Sequence, residues 1–545
     1  MTTLPFNSRR SPVYSRNGIV ATSQPLATAV GLEILAKGGN AADAAVAAGA
    51  ALNVTEPTST GIGGDMFALY YSTDTKQVTA LNGSGRAPAA LTLDRLRKDG
   101  FSTELPPFHA HTVTVPGACA GWFDLIERHG SLPMSEILAP AIRLAREGFP
   151  VAPVTAHAWQ SGAQGQLKTA PNGLELTIDG RAPRSGEVFR NLNLGRTLEL
   201  VGRGGRDAFY QGEIAESIVS VIRDAGGYMS VEDLAAHTST WEEPLSVTYR
   251  GLRVYECPPN GQGITALIAL NILEGFDLGS LGTLATERLH LMIEALRLAF
   301  ADSRWYVADP KFSNVPIREL LSKEYASERR KLINLKRAMI DPKRGTPVSS
   351  SGTVYLSVVD QFGNACSFIN SNYWGFGTGI VPKGFGFTLQ NRGHNFSLDP
   401  NHPNALEPRK RPYHTIIPAM VTQPGVEGEG ETLYASYGVM GGFMQPQGHV
   451  QVLTALVDAG LDPQAALDLP RFCINVEGSG GRVALEEGSP PEVLKGLEEM
   501  GHPVHSVGGY ERSLFGRGQV ILRDADTGVL CAGSDPRADG CAMTL

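Results

Sequence analysis

Residues 352–371 read GTVYLSVVDQFGNACSFINS, and the rest of the chain is best understood outward from them. The runs 353–359 and 365–371 have strand composition, and Asp360-Gln361-Phe362-Gly363-Asn364 between them has turn composition, which predicts a hairpin beginning at Thr353. Upstream, residues 331–352 (KLINLKRAMIDPKRGTPVSSSG) are polar, basic and rich in Ser and Pro, with no period of two or of 3.6. That texture predicts an exposed, flexible linker. The major boundary therefore falls between Gly352 and Thr353, dividing the chain into 1–352 and 353–545.

A cut at that boundary gives Thr353 a free α-amine beside its own hydroxyl. An α-amine has a reference pKa of about 7.7–8.0, close to what a general base needs at neutral pH. One residue then supplies nucleophile and base together. The branched Cβ of Thr353 restricts χ1 and pre-aims the hydroxyl. Gly352 lacks a side chain and can adopt the backbone geometry that exposes its carbonyl to Thr353. Further on, Gly441-Gly442 follows a strand candidate, and successive N–H groups without side chains can form an oxyanion hole. Each of these features also has a plain structural reading, as a strand start or a glycine turn.

Around this hairpin, residues 25–37 and 41–54 predict two helices, with Pro25 and Asn40 as start signals and Gly38-Gly39 as a stop. Residues 59–71 predict a glycine turn feeding a strand, paired with 78–81, and residues 116–148 predict helices. The segment 286–303 carries Leu289, Met292, Ile293, Leu296 and Phe300 on one helical face. Strands are expected at 415–421, 432–437 and 518–523, and a helix at 447–459. The 545 residues are 42% hydrophobic and 19% charged, with 63 glycines and 35 prolines, the balance of a loop-rich globular enzyme.

The net charge of −8 and the scattered 47 Lys and Arg argue against nucleic acid as a partner. No apolar stretch is long enough to span a bilayer, and the start lacks an apolar signal core, so a cytoplasmic location without a membrane is expected. The six cysteines form no C-x-x-C pair and no Cys/His cluster with zinc spacing, which predicts free thiols and no metal.

Several segments, taken in order, resemble the γ-glutamyltranspeptidase superfamily. Residues 38–64 (GGNAADAAVAAGAALNVTEPTSTGIGG) are similar to its N-terminal signature, and residues 353–379 (TVYLSVVDQFGNACSFINSNYWGFGTG) to its nucleophile region. Val115-Pro116-Gly117, Gly441-Gly442 and Ser534-Asp535-Pro536-Arg537 extend the match over nearly the whole chain. The resemblance implies an α+β N-terminal-nucleophile hydrolase fold, an αββα sandwich. It also implies a proenzyme that cuts itself at Gly352–Thr353 into two fragments that stay together. It leaves open a dimer of cut pairs, and it implies no cofactor. By the same resemblance Thr353 is the nucleophile, Ser371 stands where the family has a second Thr whose hydroxyl hydrogen-bonds the nucleophile's amine, and Gly441 and Gly442 are the oxyanion-hole glycines.

The substrate pocket departs from the γ-glutamyl pattern. Ser84 stands where the family has the Arg for the glutamyl α-carboxylate, with Arg86 two residues on. Asn395 replaces the Asp that pairs with the α-ammonium, and Arg392 replaces a Gln. His414 and Thr415 replace paired serines, and Tyr373 replaces an Asn. Losing a buried acidic partner weakens binding of a zwitterionic head group, whereas the fork of Arg392 suits a carboxylate. The motifs LQNRG and RPYHT resemble the glutathione-hydrolase-like branch that also contains oxamate amidohydrolases. Two substrate classes stay open: γ-glutamyl compounds such as glutathione, or a small anionic amide or acylase substrate. Arg392 reads equally as a structural ion-pair member and His414 as packing. An uncut, silent proenzyme with a binding role is the third alternative.

Overall fold

The computed structural model describes residues 10–339, 352–425, 430–475 and 481–545. Part of the expected linker, 340–351, lies outside them. The two helices expected at the start are present as α1 (Pro25–Ala36) and α2 (Ala41–Thr55). Asn40 caps α2 through its side chain while Asp43 returns a bond to the Asn40 N–H, so two otherwise orphaned donors are satisfied together. Every residue of α2 is buried. The small side chains explain this: Gly49 sits where a Cβ would come within 2.9 Å of the Phe368 ring.

Strands β1 (Asp65–Ser72) and β2 (Gln77–Gly83) form the hairpin predicted after the glycine turn. Then come α3 (Gly263–Leu273) and α4 (Thr286–Tyr306), followed by β3 (Gly352–Val359) and β4 (Ala365–Tyr373). The chain continues through β5 (Ala419–Pro424), β6 (Glu431–Met440), α5 (Met444–Val457) and β7 (Arg517–Arg523). The expected strand at 415–421 starts only at Ala419, because side chains take the ladder's place before it: Gln262 Nε2 donates to Thr415 O and Ile417 N donates to Gln445 Oε1.

Two seven-stranded antiparallel sheets result. One runs Cys541–Thr544, Ile19–Thr22, β3, β4, β1, β2, Thr240–Glu242. The other runs Val13–Ser15, Leu530–Ser534, β7, β6, β5, Leu252–Glu256, Leu245–Tyr249. The sheets stack through β3, β4 and β6, with α2 on the outside of the first and α3 and α5 on the outside of the second. This is the expected αββα sandwich. Both sheets take strands from each side of the Gly352–Thr353 bond.

Residues 331–339, expected to begin the linker, are held against the body. Asn334 O lies 2.7 Å from His290 Nε2, Ala338 N donates to Met500 O at 2.7 Å, and Met339 O accepts from Arg297 at 2.8 Å.

Candidate active site

The β3–β4 hairpin is fixed at its turn. Asp360 Oδ1 accepts from the N–H groups of Phe362 and Asn364, and Oδ2 accepts from Ala41 N at the start of α2. From there the ladder is regular back to Val354, which pairs with Asn370. The next pairing is Gly352 with Tyr373, so Ser371 and Asn372 together face the single residue Thr353. Such a bulge re-aims side chains, and Tyr373 at φ 78° marks the strained end of it. The outcome is a fully buried Thr353 with its Oγ1 3.1 Å from Ser371 Oγ.

The second sheet brings up the glycine pair. Ser357 Oγ donates to Ser436 Oγ at 2.6 Å, and two residues along each strand Gly438 lies against the Tyr355 ring, where a Cβ would be 2.5 Å away. Followed further in the same direction, β3 leads to Thr353 and β6 ends at Met440, the last residue before Gly441 and Gly442. Both glycines have positive φ, 135° and 61°. Their carbonyls accept from Met444 N and Gln445 N at the start of α5. Among the described residues neither glycine N–H is spent on a hydrogen bond. Two unspent donors at a helix N-terminus favour a developing negative charge.

Arg392 ties the pocket together. It is fully buried and donates from Nη2 to Ser371 Oγ at 3.2 Å and from Nη1 to Thr415 Oγ1 at 2.7 Å. Its guanidinium lies 4.4 Å over the Tyr373 ring. Burial lowers its pKa to about 10, which still leaves it charged at neutral pH. Its counter-charge is a residue the sequence reading passed over. Asp65, at the start of β1 and opposite Ser371 in the ladder, has Oδ2 4.0 Å from Arg392 Nε and 3.0 Å from His414 Nε2. Gly85 N donates to Asp65 Oδ1 at 2.9 Å.

Burial pushes the Asp65 carboxyl up to about 6, with Arg392 opposing the shift. Burial, then the charges of Arg392 and Arg411, hold His414 well below its usual range, so its ring is neutral. Ile416 N donates to His414 Nδ1 at 3.4 Å, which leaves Nε2–H to donate to Asp65.

Asn395 and Arg86 are placed differently from their neighbours. Asn395 Oδ1 accepts from Tyr373 OH at 2.7 Å and its Nδ2 donates to Tyr413 O, so it orients the Tyr373 ring. Arg86 donates to Thr238 O at 3.1 Å, near the charges of Asp309 and Glu242. The described contacts do not bring it to the Thr353 group. Gln262, also missed in the sequence, donates from Nε2 to both Thr415 O and Gly442 O, coupling the pocket to the glycine turn. The partners of Asp65 and Gln262 lie far away in sequence, and the only local hint was a carboxylate ending a glycine run at a strand start.

Gly64 shows how closely this arrangement is built: a Cβ there would lie 2.3 Å from Ser371 O. Gly64→Ala is expected to push β4 away from Thr353 and destabilise the fold by about 1–3 kcal/mol. Thermal unfolding together with an activity assay checks both effects.

The sequence model described as Gamma-glutamyltranspeptidase matches residues 27–545. The chain is 39% identical to the "Glutathione hydrolase-like YwrD proenzyme" of Bacillus subtilis (strain 168), over 98% of this chain and 99% of that one. It is 32% identical to the "Oxamate amidohydrolase proenzyme" of Klebsiella pneumoniae, over 97% and 98% of the two chains. The crystal structure of cephalosporin acylase from Bacillus halodurans superposes with a TM-score of 0.91 at 46% identity, covering 100% of this chain and 99% of that one.

Proposed function

The chain belongs to the gamma-glutamyltranspeptidase family, and from that premise we propose that Thr353, freed by cleavage of the Gly352–Thr353 bond, hydrolyses an amide whose acyl part carries a carboxylate. The family relation makes the protein an autoprocessed, Thr-nucleophile amide hydrolase or acyltransferase. In processing, Thr353 Oγ1 attacks the Gly352 carbonyl carbon, the C–N bond breaks, and water releases the resulting ester. The fragments 1–352 and 353–545 then remain one unit.

In turnover the α-amine takes the hydroxyl proton as Oγ1 attacks the substrate carbonyl. The N–H groups of Gly441 and Gly442 receive the oxyanion. The proton passes to the leaving nitrogen, and water or an amino acceptor removes the acyl group. Ser371 holds the Thr353 hydroxyl, Thr415 and Tyr373 hold Arg392, and Asn395 holds Tyr373.

The single observation that carries the acyl preference is Arg392, fully buried and separated from the Thr353 hydroxyl only by Ser371. Arg forks bind carboxylates in two parallel bonds. With Asn at position 395 and its side chain engaged by Tyr373 and Tyr413, an α-ammonium has no acid there to meet. A substrate panel of oxamate, acyl amino acids, glutathione, glutamine and γ-glutamyl-p-nitroanilide tests this. The γ-glutamyl compounds are expected to react about ten- to a hundredfold less efficiently than a carboxylate-bearing amide without an ammonium group, the cost of one lost buried partner. Turnover of γ-glutamyl-p-nitroanilide at the level of the best substrate overturns the preference.

The γ-glutamyl reading is favoured by one observation, the Asp65 carboxylate 4.0 Å from Arg392, which offers an ammonium partner from another strand. A reducing, cytoplasmic setting is supported by the six cysteines, all of which are free. Among the described residues no helix is long and apolar enough to cross a membrane.

A further inference from the structure

An α-amine with an unperturbed pKa of about 7.7–8.0 is mostly protonated at neutral pH, and a protonated amine cannot take the hydroxyl proton of its own residue. The proposed mechanism is therefore faster at neutral pH if something disfavours the ammonium. Burial at the Thr353 position is one contribution, since the residue is fully enclosed. A fixed positive charge is the other. Two hydrogen bonds, of 3.2 and 3.1 Å, separate the Arg392 guanidinium from Thr353 Oγ1, and the amine is attached two carbons from that oxygen.

Resting on the reading of Thr353 as nucleophile and base, we propose that Arg392, with Asp65 as its counter-ion, holds the liberated Thr353 amine in its neutral, proton-accepting form. Arg392 acts through space and through Ser371, so toward the amine it is a positioning residue, whatever it does for the substrate. The charge inventory of the pocket supports the assignment. β1 contributes Asp65, the segment before β5 contributes His414, and β4 contributes Tyr373. Arg411 lies behind His414, close enough to bear on both His414 and Asp65. His414 is neutral, so the groups nearest the amine are one guanidinium and one carboxylate. The guanidinium holds the hydrogen bond to Ser371, while the carboxylate belongs to β1, one strand further from Thr353 than Ser371, and lies 4.0 Å from Arg392 Nε. The nearer charge dominates.

The field also helps the second half of the step. When Oγ1 bonds to the carbonyl carbon, its proton sits on the amine as an ammonium beside Arg392. Repulsion makes that ammonium a better acid toward the leaving nitrogen, which takes the proton as its bond to carbon breaks. A guanidinium two hydrogen bonds away in a protein interior, partly offset by its counter-ion, is expected to lower the amine pKa by about one unit.

The test is the pH dependence of kcat/KM for processed enzyme, measured on an uncharged acyl p-nitroanilide so that substrate recognition does not intrude. Arg392→Gln is expected to move the ascending limb up by about one pH unit, with the rate recovering at alkaline pH. Arg392→Lys keeps the charge and should leave the limb within a few tenths of a unit. Asp65→Asn removes the counter-ion and should move the limb the opposite way, to lower pH. A limb that stays in place in Arg392→Gln while the rate falls equally at every pH overturns the proposal. So does a shift of Asp65→Asn in the same direction as Arg392→Gln. If Arg392→Gln fails to fold or to process, Asp65→Asn and Arg392→Lys decide alone. N-terminal sequencing of the wild-type sample separates the two levels: without a species starting Thr-Val-Tyr-Leu both readings fall, and with one an unmoved limb sinks only this proposal.

Discussion

Thr353→Ala is expected to yield a single unbroken 545-residue chain without measurable amidase activity. The substitution removes one hydroxyl and one methyl from a strand that keeps its ladder to Asn370 and Tyr373, so the protein still folds. In the proposed mechanism it removes both the group that cuts the Gly352–Thr353 bond and the group that attacks substrate. Losses on removing a nucleophile of this kind reach about 10⁴–10⁶ in kcat. Denaturing electrophoresis reads the first effect and a substrate assay the second. Two fragments divided at position 353 in the Ala variant show that another group does the cutting. Thr353→Ser keeps the hydroxyl and loses the methyl that restricts χ1, so it should still process, more slowly.

Gly441→Ala should be the next most damaging change. At φ 135° this residue occupies backbone space open essentially to glycine alone, and an added Cβ would come within 3.2 Å of Gly516 Cα. The peptide must rotate to relieve both, and that rotation turns the N–H groups of the turn away from the place proposed for the oxyanion. The loss of one such donor lowers kcat by about 10²–10³ with little change in KM. Gly501→Ala is the control: its φ is 90°, but a Cβ there meets nothing within 4 Å. That variant should lose some stability and keep its kcat. Equal kcat losses in the two variants would mean that the Gly441 effect is general destabilisation.

The parts of this molecule that sequence made legible are those set by neighbours along the chain. The Asn40 cap with its return bond from Asp43, the hairpin that begins at Thr353, and the periodic helix now seen as Thr286–Tyr306 are all local decisions. Thr353 and Ser371 were linked by the family resemblance, and in the fold one short turn and the bulge at the end of its ladder bring them together. The floor of the pocket could not be read in the same way. His414 and Asp65 are separated by 349 positions and Gln262 and Gly442 by 180, so no spacing rule links them. Arg86 and Arg392 looked equivalent as basic residues near the aligned pocket positions. Only the packing of β1 against β4 shows one guanidinium beside Ser371 and the other on the Thr238 carbonyl.

The interleaving of strands from both sides of residue 353 has a further consequence. Once the backbone is severed, neither piece possesses a complete sheet, and each has unpaired strand edges until the other fills them. The continuous precursor finds this arrangement as an intramolecular search, whereas two separated pieces would have to find it as a bimolecular one, in competition with aggregation. Denaturation of the cut form is therefore expected to reverse less readily than that of the precursor, so that how slowly it opens would set its lifetime.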